Sequence, residues 1–274
     1  MLIKGLQKYT KMIYLYDCMV KKDFKLDIKE MAKAGLHFGH SSSRTHPKMK
    51  PFIHGARNTI NLIDLDKTKE SFEKVLEAVK KIVAENKNLL IIGTKIQARK
   101  LVEDFAKEHE LPFVSERWLG GTISNFKVIK KRIDYFNDLE EQKKTGELAK
   151  YTKKERGQID LELERLKKKF QGIRTLEKLP EAIFILDVTK DSLAVKEARE
   201  NGIITIGVCD VNSDPSLIDW VIPANDDSVS AIKYVLSKLS IAVEKGKELG
   251  KELKKAKEKE LKKESEKKES EKEE

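Results

Sequence analysis

Apolar residues along this chain follow two patterns that alternate. Short continuous runs, NLLIIG (88–93), LPFVS (111–115), AIFILDV (182–188), IITIGVCD (203–210) and WVIPA (220–224), have the length and β-branched content of strands buried on both faces. Between them the apolar residues recur at three and four, the spacing of one helix face. One such helix follows Asp66 as a cap, with Phe72, Val75, Leu76, Val79 and Val83 on its apolar face; another runs from Thr94 to about His109. A third spans Thr189 to Asn201 and stops at Gly202, and a fourth is capped by Asp226 or Asp227 and carries Ile232, Leu236 and Leu239. Upstream, TINLIDL (59–65) alternates like a strand with one buried face. Strands alternating with helices predict an α/β fold: one doubly wound, parallel five-stranded sheet covered on both sides.

Residues 123–174 interrupt that rhythm. Phe126, Ile129, Ile133 and Phe136, then Ile159, Leu163, Leu166, Phe170 and Ile173, step by three and four among charged residues. That is the spacing of a helical seam, and it predicts an antiparallel coiled-coil hairpin inserted into the domain. Helices of about 20 residues reach roughly 30 Å, so such a hairpin is built to touch something. The domain itself spans 26–243. Residues 1–25 form a short amphipathic extension (Leu2, Leu6, Tyr9, Ile13) in which Met12 and Met19 are alternative starts. Residues 244–274 become almost purely Lys, Glu and Ser, a tail expected to be disordered or to fray from the last helix.

Charge changes the picture because it is segregated. Charged residues make up 37% of the chain, against a typical quarter or about 25%. The net +10 resolves into +8 over residues 1–69 and +6 over 127–174, with −5 over 175–243 and +1 over the tail. Segregated Lys and Arg attract polyanions, and the acidic stretch would then face solvent or a protein. Two cysteines far apart, Cys18 and Cys209, make a disulfide framework or Cys-based zinc site a poor fit. No apolar run reaches the ~18–20 residues of a membrane span, and MIYLY is too short for a signal-peptide core. A reducing, cytoplasmic setting is expected, with no membrane partner.

Candidate chemistry concentrates in two places. Between Glu30 and Asp64 there is no acidic residue, while Lys33, Arg44, Lys48, Lys50 and Arg57 are interleaved with Phe38 and Phe52. Read as a loop from about Gly35 to Asn58, this stretch offers cations, hydroxyls and stacking rings to the backbone of structured RNA. Four of the five histidines also fall here, His37, His40, His46 and His54. Their spacing fits no zinc pattern, and the nearest carboxylates in sequence lie outside the window, so RNA contact or packing is the better reading and no metal is assigned. The second place is RWLGGTISNF, 117–126. There Gly120 and Gly121 permit a sharp turn, and Arg117 and Trp118 offer a guanidinium and a flat ring suited to phosphates and bases, with Lys127, Lys130 and Lys131 just beyond.

Enzyme readings fare worse. The chain has no GxSxG, GxxxxGK[ST] or HExxH. Gly93 and Thr94 open a helix where an anion could sit, and Asp210 lies at a strand carboxyl end, the usual place for a nucleotide or an active site in this architecture. That crevice supports an alternative, a nucleotide-binding module or enzyme. Without a nucleophile or cofactor motif beside it, Asp210 and Asp214 read as turn and cap residues.

AGLHFGH, HPKMKPFIHGARN, LIDLDKT, IIGTK, RWLGGTISNF, YTKKE, LPEAIFILD, NSDP and VIPANDDS occur in this order. Together they resemble the bacterial-type small-subunit ribosomal protein S2 family over about residues 26–243. The resemblance implies a flavodoxin-like domain with a coiled-coil hairpin and a non-catalytic, cofactor-free role in the small ribosomal subunit. Its implied partners are 16S-type ribosomal RNA near the head–body junction and neighbouring ribosomal proteins, among them the large mRNA-binding one, rather than a second copy of itself. By position, the family's RNA-facing segments fall on Gly35–Asn58 and Arg117–Gly121. Residues 1–25 and the Lys/Glu tail have no fixed counterpart.

Overall fold

The computed structural model describes residues 24–270, and side chains within them except those of 149 and 255–270. The chain opens with α1 (Ile28–Lys33), capped by the Asp27 carboxylate, and then enters a small antiparallel sheet of β1 (Phe38–Ser41), β2 (Ile53–Arg57) and β3 (Ile60–Ile63) in the order β1-β3-β2. α2 (Leu65–Ala84), β4 (Leu89–Ile92), α3 (Ile96–His109) and β5 (Phe113–Val114) follow. Next come the helical insertion α4 (Phe126–Thr145) and α5 (Lys153–Phe170), then β6 (Ala182–Ile185), α6 (Ser192–Glu200), β7 (Ile204–Cys209), β8 (Trp220–Pro223) and α7 (Val229–Ser270).

The second sheet has the order β5-β4-β6-β7-β8, with every neighbouring pair parallel. Counted within that sheet the order is 2-1-3-4-5, the flavodoxin-like arrangement. Successive strand residues point to opposite faces, and the core divides accordingly. Leu89, Ile91, Ala182 and Phe184 pack with α2, α3 and α7, whereas Leu90, Ile92, Ile183 and Ile185 pack with α4, α5 and α6. Both faces are covered, which is why these runs are apolar throughout.

The segment expected to be a basic loop is instead mostly ordered backbone. FGHS and IHGAR carry too many polar and small residues to alternate, so periodicity does not reveal them. Their hydrogen bonds come from pairing with β3, and Arg57 and Ile60 close a two-residue hairpin in which Asn58 and Thr59 both have positive φ, 48° and 69°. Short 3-10 turns at Ser42–Arg44 and Pro47–Phe52 complete the module. It is fastened over the carboxyl ends of β7 and β8: His46 N donates to Val211 O at 2.7 Å, and Asn225 N to Leu36 O at 3.0 Å.

Cap assignments move by a few residues. Asp64, not Asp66, caps α2, and α7 begins at Val229 because Asp226 and Asp227 are engaged elsewhere. Phe24 and Leu26, 7% and 4% exposed, belong to the core, and α7 stays packed beyond residue 243, with Gly246 and Gly250 against Val83 and Ala84 of α2. Its backbone stays helical to Ser270. The expected extension otherwise lies outside the described residues.

α4 and α5 run antiparallel, since Tyr135 reaches Glu162 and Lys143 reaches Asp160. Ile129, Ile133, Phe136, Leu163 and Phe170 are buried, and Thr152 and Glu155 form a reciprocal capping box at the start of α5. The base of this hairpin is set by Gly172. A methyl group there would lie 2.2 Å from the Phe113 carbonyl oxygen of β5. Gly172→Ala is therefore expected to cost about 1–3 kcal/mol, measured by urea unfolding; a wild-type midpoint would show that the hairpin base can shift freely.

Candidate nucleic-acid interface

In the small sheet module, Arg44, Lys50 and Arg57 are exposed and form no salt bridge among the described residues, as does Lys33 in the last turn of α1. Phe38, half exposed at 50%, lies with its ring 4.0 Å from that of His37. The module thus carries exposed cations and an accessible aromatic ring. Lys48 is placed differently: its Nζ lies 2.9 Å from Asp214 Oδ2 and 2.6 Å from Ser216 Oγ. Ser216 and the Lys48 ammonium hold the Asp214 carboxyl at about 2. The Lys48 ammonium is thus already paired with a carboxylate of the same chain.

His40 departs from its expected RNA contact. Its Nδ1 lies 2.9 Å from Asp210 Oδ2 and its Nε2 3.2 Å from Asp227 Oδ2, and the hydrogen bond to Asp210 raises its pKa. A ring held between two carboxylates faces a field that repels phosphate. His46, through Nδ1, accepts from Lys48 N and caps the 3-10 turn.

Trp118 also departs from expectation. It is 5% exposed, packed with Ile123 and Val195, and its Nε1 donates to Glu197 Oε1 at 3.3 Å. A buried indole cannot stack on a base. Its burial follows from a residue the sequence did not single out: Glu197 of α6 also accepts from Gly121 N (2.8 Å), Ile123 N (3.0 Å) and Ser124 N (3.2 Å). These N–H groups converge because Gly121 takes φ +90°, which folds the turn around one carboxylate. Burial pushes the Glu197 pKa up, but these donors outweigh it and hold it below the ordinary value. The periodicity of α6 marks Glu197 as a core-facing position, and a carboxylate there is the only signal a reader could have used.

Arg117 remains exposed beside this turn, on a cleft of about 280 Å³ lined by Lys167, Lys168 and Lys169 of α5 and also by Glu103, Glu116 and Glu164. Lys127 and Lys131 are exposed on α4, and Lys130 lies 3.6 Å from Asp134. Two basic surfaces result, one on the small sheet module and one at the hairpin base.

The acidic stretch 175–243, expected to face solvent or a protein, divides: Glu177, Glu181, Glu200, Asp219 and Asp227 are exposed, whereas five other carboxylates are turned inward. Asp187, Asp191, Glu197, Asp210 and Asp226 are all at most 5% exposed. They gather mainly at strand carboxyl ends, where the chain's own donors meet them. Asp191 fills the helix-opening turn that could have held an anion: Thr94 Oγ1 donates to it at 2.9 Å, and burial raises its pKa to about 6. At the crevice near Gly93 and Asp210, Asp191 engages Thr94 and His40 engages Asp210, and nothing there supports the nucleotide or enzyme reading.

A fold of this topology with both basic segments on its surface can be placed among known proteins. The family model described as Ribosomal protein S2 matches residues 31–246. The chain belongs to the ribosomal protein S2 family. Members similar to it include small ribosomal subunit protein uS2 of Dictyoglomus thermophilum, 44% identical over 222 residues that cover 81% of this chain and 90% of the relative. The uS2 proteins of Roseiflexus sp. and Desulfatibacillum aliphaticivorans are 41% and 44% identical, covering 81% and 82% of this chain and 85% and 76% of theirs. The S2 match includes the small sheet module, the RWLGG turn and the helical hairpin.

Proposed function

We propose that this chain is a structural, non-catalytic constituent of the small ribosomal subunit, held there by contacts of its two basic surfaces with ribosomal RNA. Membership of the S2 family carries the first part. The second rests on Arg44, Lys50 and Arg57, exposed cations that form no salt bridge among the described residues and share the small sheet module with the exposed Phe38 ring. Arg117, Lys127 and Lys131 extend the contact to the hairpin base, Lys33 and Lys130 stand at the edges, and Lys48 contributes in part. The rigid sheet keeps the cations at fixed spacing, so binding need not order a flexible loop. Neutralised phosphates release counterions, so the attachment weakens as salt rises. Other small-subunit proteins occupy what RNA does not.

Sucrose-gradient sedimentation of tagged full-length chain in a lysate tests this. Migration with the small subunit at low salt, and release as salt is raised, is the expected outcome. Migration as free protein at low salt overturns the assignment.

A further inference from the structure

We infer that the outer edge of β8 at Trp220–Ile222 takes an extended segment of another protein as a sixth strand. Consecutive apolar side chains of that segment enter clefts on the two faces of the sheet, and carboxylates flank them. β8 ends the order β5-β4-β6-β7-β8 and pairs with β7 alone, so among the described residues no strand lies along its other side. An open strand edge is a template for pairing with another chain. Trp220 begins that edge and is 39% exposed, although Ile222 and Pro223 of the same strand are buried. Pro223, whose carbonyl already accepts from Thr68 Oγ1 at 2.6 Å, limits pairing to the three residues before it.

The space beside the edge suits a strand. Successive residues of a strand point to opposite faces, and a cleft lies on each face. On the α2 side a cleft of about 390 Å³ is lined by Ala78 and Ile82, with Lys74, Lys81 and Lys87 against Glu77 and Glu85. On the α6 side one of about 410 Å³ is lined by Gly202 and Ile203, with Arg199 against Asp219. Ile204 and Trp220 line both. Ile82 belongs to the core under α2, α3 and α7, and Ile203 to the core under α4, α5 and α6. Four cations and three carboxylates make a nearly neutral rim, whereas nucleic-acid interfaces are strongly positive. Exposed Trp and Arg side chains are instead the usual anchors of protein contacts. Two of the carboxylates already have partners: Lys87 Nζ lies 2.6 Å from Glu85 Oε2, and Asp219 Oδ2 accepts from Thr205 N at 2.8 Å and Thr205 Oγ1 at 2.9 Å. Lys74 forms no salt bridge among the described residues, and Arg199 spends one donor on Ser216 O at 3.1 Å. These two cations, one at each cleft, are what the flanking carboxylates of the segment would meet. The lock of Asp219 on Thr205 fixes the residue before Trp220, so the edge is formed before the partner arrives.

Only the partner's identity, another protein of the small subunit, rests on the ribosomal assignment; the first test uses the free full-length chain. Of its two tryptophans, Trp118 is 5% exposed and Trp220 39%, so acrylamide quenching of the emission reports Trp220. The blocked peptide EVLIE at millimolar concentration should shield that indole, with calorimetry giving the affinity. EVPIE, whose proline removes a ladder donor, should bind about tenfold more weakly, and KVLIK, with its flanking charges reversed, should also bind more weakly. Trp220→Ala should weaken EVLIE binding about 30-fold. No shielding by EVLIE, equal binding of EVPIE or KVLIK, or shielding by octauridylate in its place overturns the inference. The peptide comparisons use wild-type protein, so they decide even where Trp220→Ala fails to fold. In purified small subunits, hydrogen exchange of the amides of 220–222 should be slower than in the free chain. Equal exchange in a chain that sediments with the subunit overturns the inference and leaves the ribosomal assignment standing. A chain absent from subunits removes that assignment and leaves the peptide result to decide.

Discussion

Glu197→Ala is expected to destabilise the protein by about 3–5 kcal/mol, since each buried donor stripped of its partner costs ~1–3 kcal/mol. The donors are Trp118 Nε1 and the backbone N–H groups of Gly121, Ile123 and Ser124, all of which meet this one carboxylate. Ser124 can turn to water; Trp118 and Ile123, 5% and 2% exposed, cannot without opening the core. A loss of this size is a large share of the ~5–15 kcal/mol that holds a domain together. Glu197→Gln should cost less, about 2 kcal/mol, because one oxygen still accepts while the amide nitrogen faces N–H groups. Acid should reveal the same interaction. The folded pKa of Glu197 lies below its ordinary 4.5, so the unfolded chain takes up the proton first. The stabilisation is complete above about pH 4.5 and fades as pH falls through the folded value. Urea unfolding of wild type and both variants between pH 3 and 7 checks all of this. An alanine variant within about 1 kcal/mol of wild type would mean that the turn is held by something else.

Replacing Arg44, Lys50 and Arg57 together with Ala should weaken RNA binding and, more tellingly, flatten its salt dependence. Each lost phosphate contact removes about 0.7–0.9 from the slope of log K against log salt, so the triple variant should lose roughly 2–3. Stability should hardly change, because exposed cations without salt bridges contribute within about ±0.5 kcal/mol each. Lys48→Ala should change the slope by less than one full contact, since removing it also frees the Asp214 carboxylate. Filter binding of small-subunit ribosomal RNA over a salt series measures both, with thermal unfolding as the control for folding. A triple variant with the wild-type slope would show that these side chains do not meet phosphates.

Which parts of this could be read in the chain follows from where each signal resides. LLII and AIFI are apolar at every position because helices cover both faces, so the parallel sheet was legible, and so were the two helices of the insertion. The paired glycines of RWLGG mark a sharp turn in the sequence, but the burial of Trp118 in that turn does not show there. The indole looked like an exposed platform because its burial depends on Glu197, 79 residues later in the chain. Of the small antiparallel sheet, the alternation of TINLIDL made β3 legible, whereas β1 and β2 are defined by backbone pairing with β3 and carry no side-chain period.

By itself the sequence determined the family, the alternating α/β order and the segregation of positive charge, since all three reside in local pattern and composition. Only the tertiary structure decided which charges are free. It buried Asp191 at Thr94 and Glu197 under the RWLGG turn, drew Lys48 to Asp214, and set His40 among carboxylates 170 or more residues away. Electrostatic partnership depends on distance in space, and the parallel crossovers carry residues remote in sequence to one end of the same sheet.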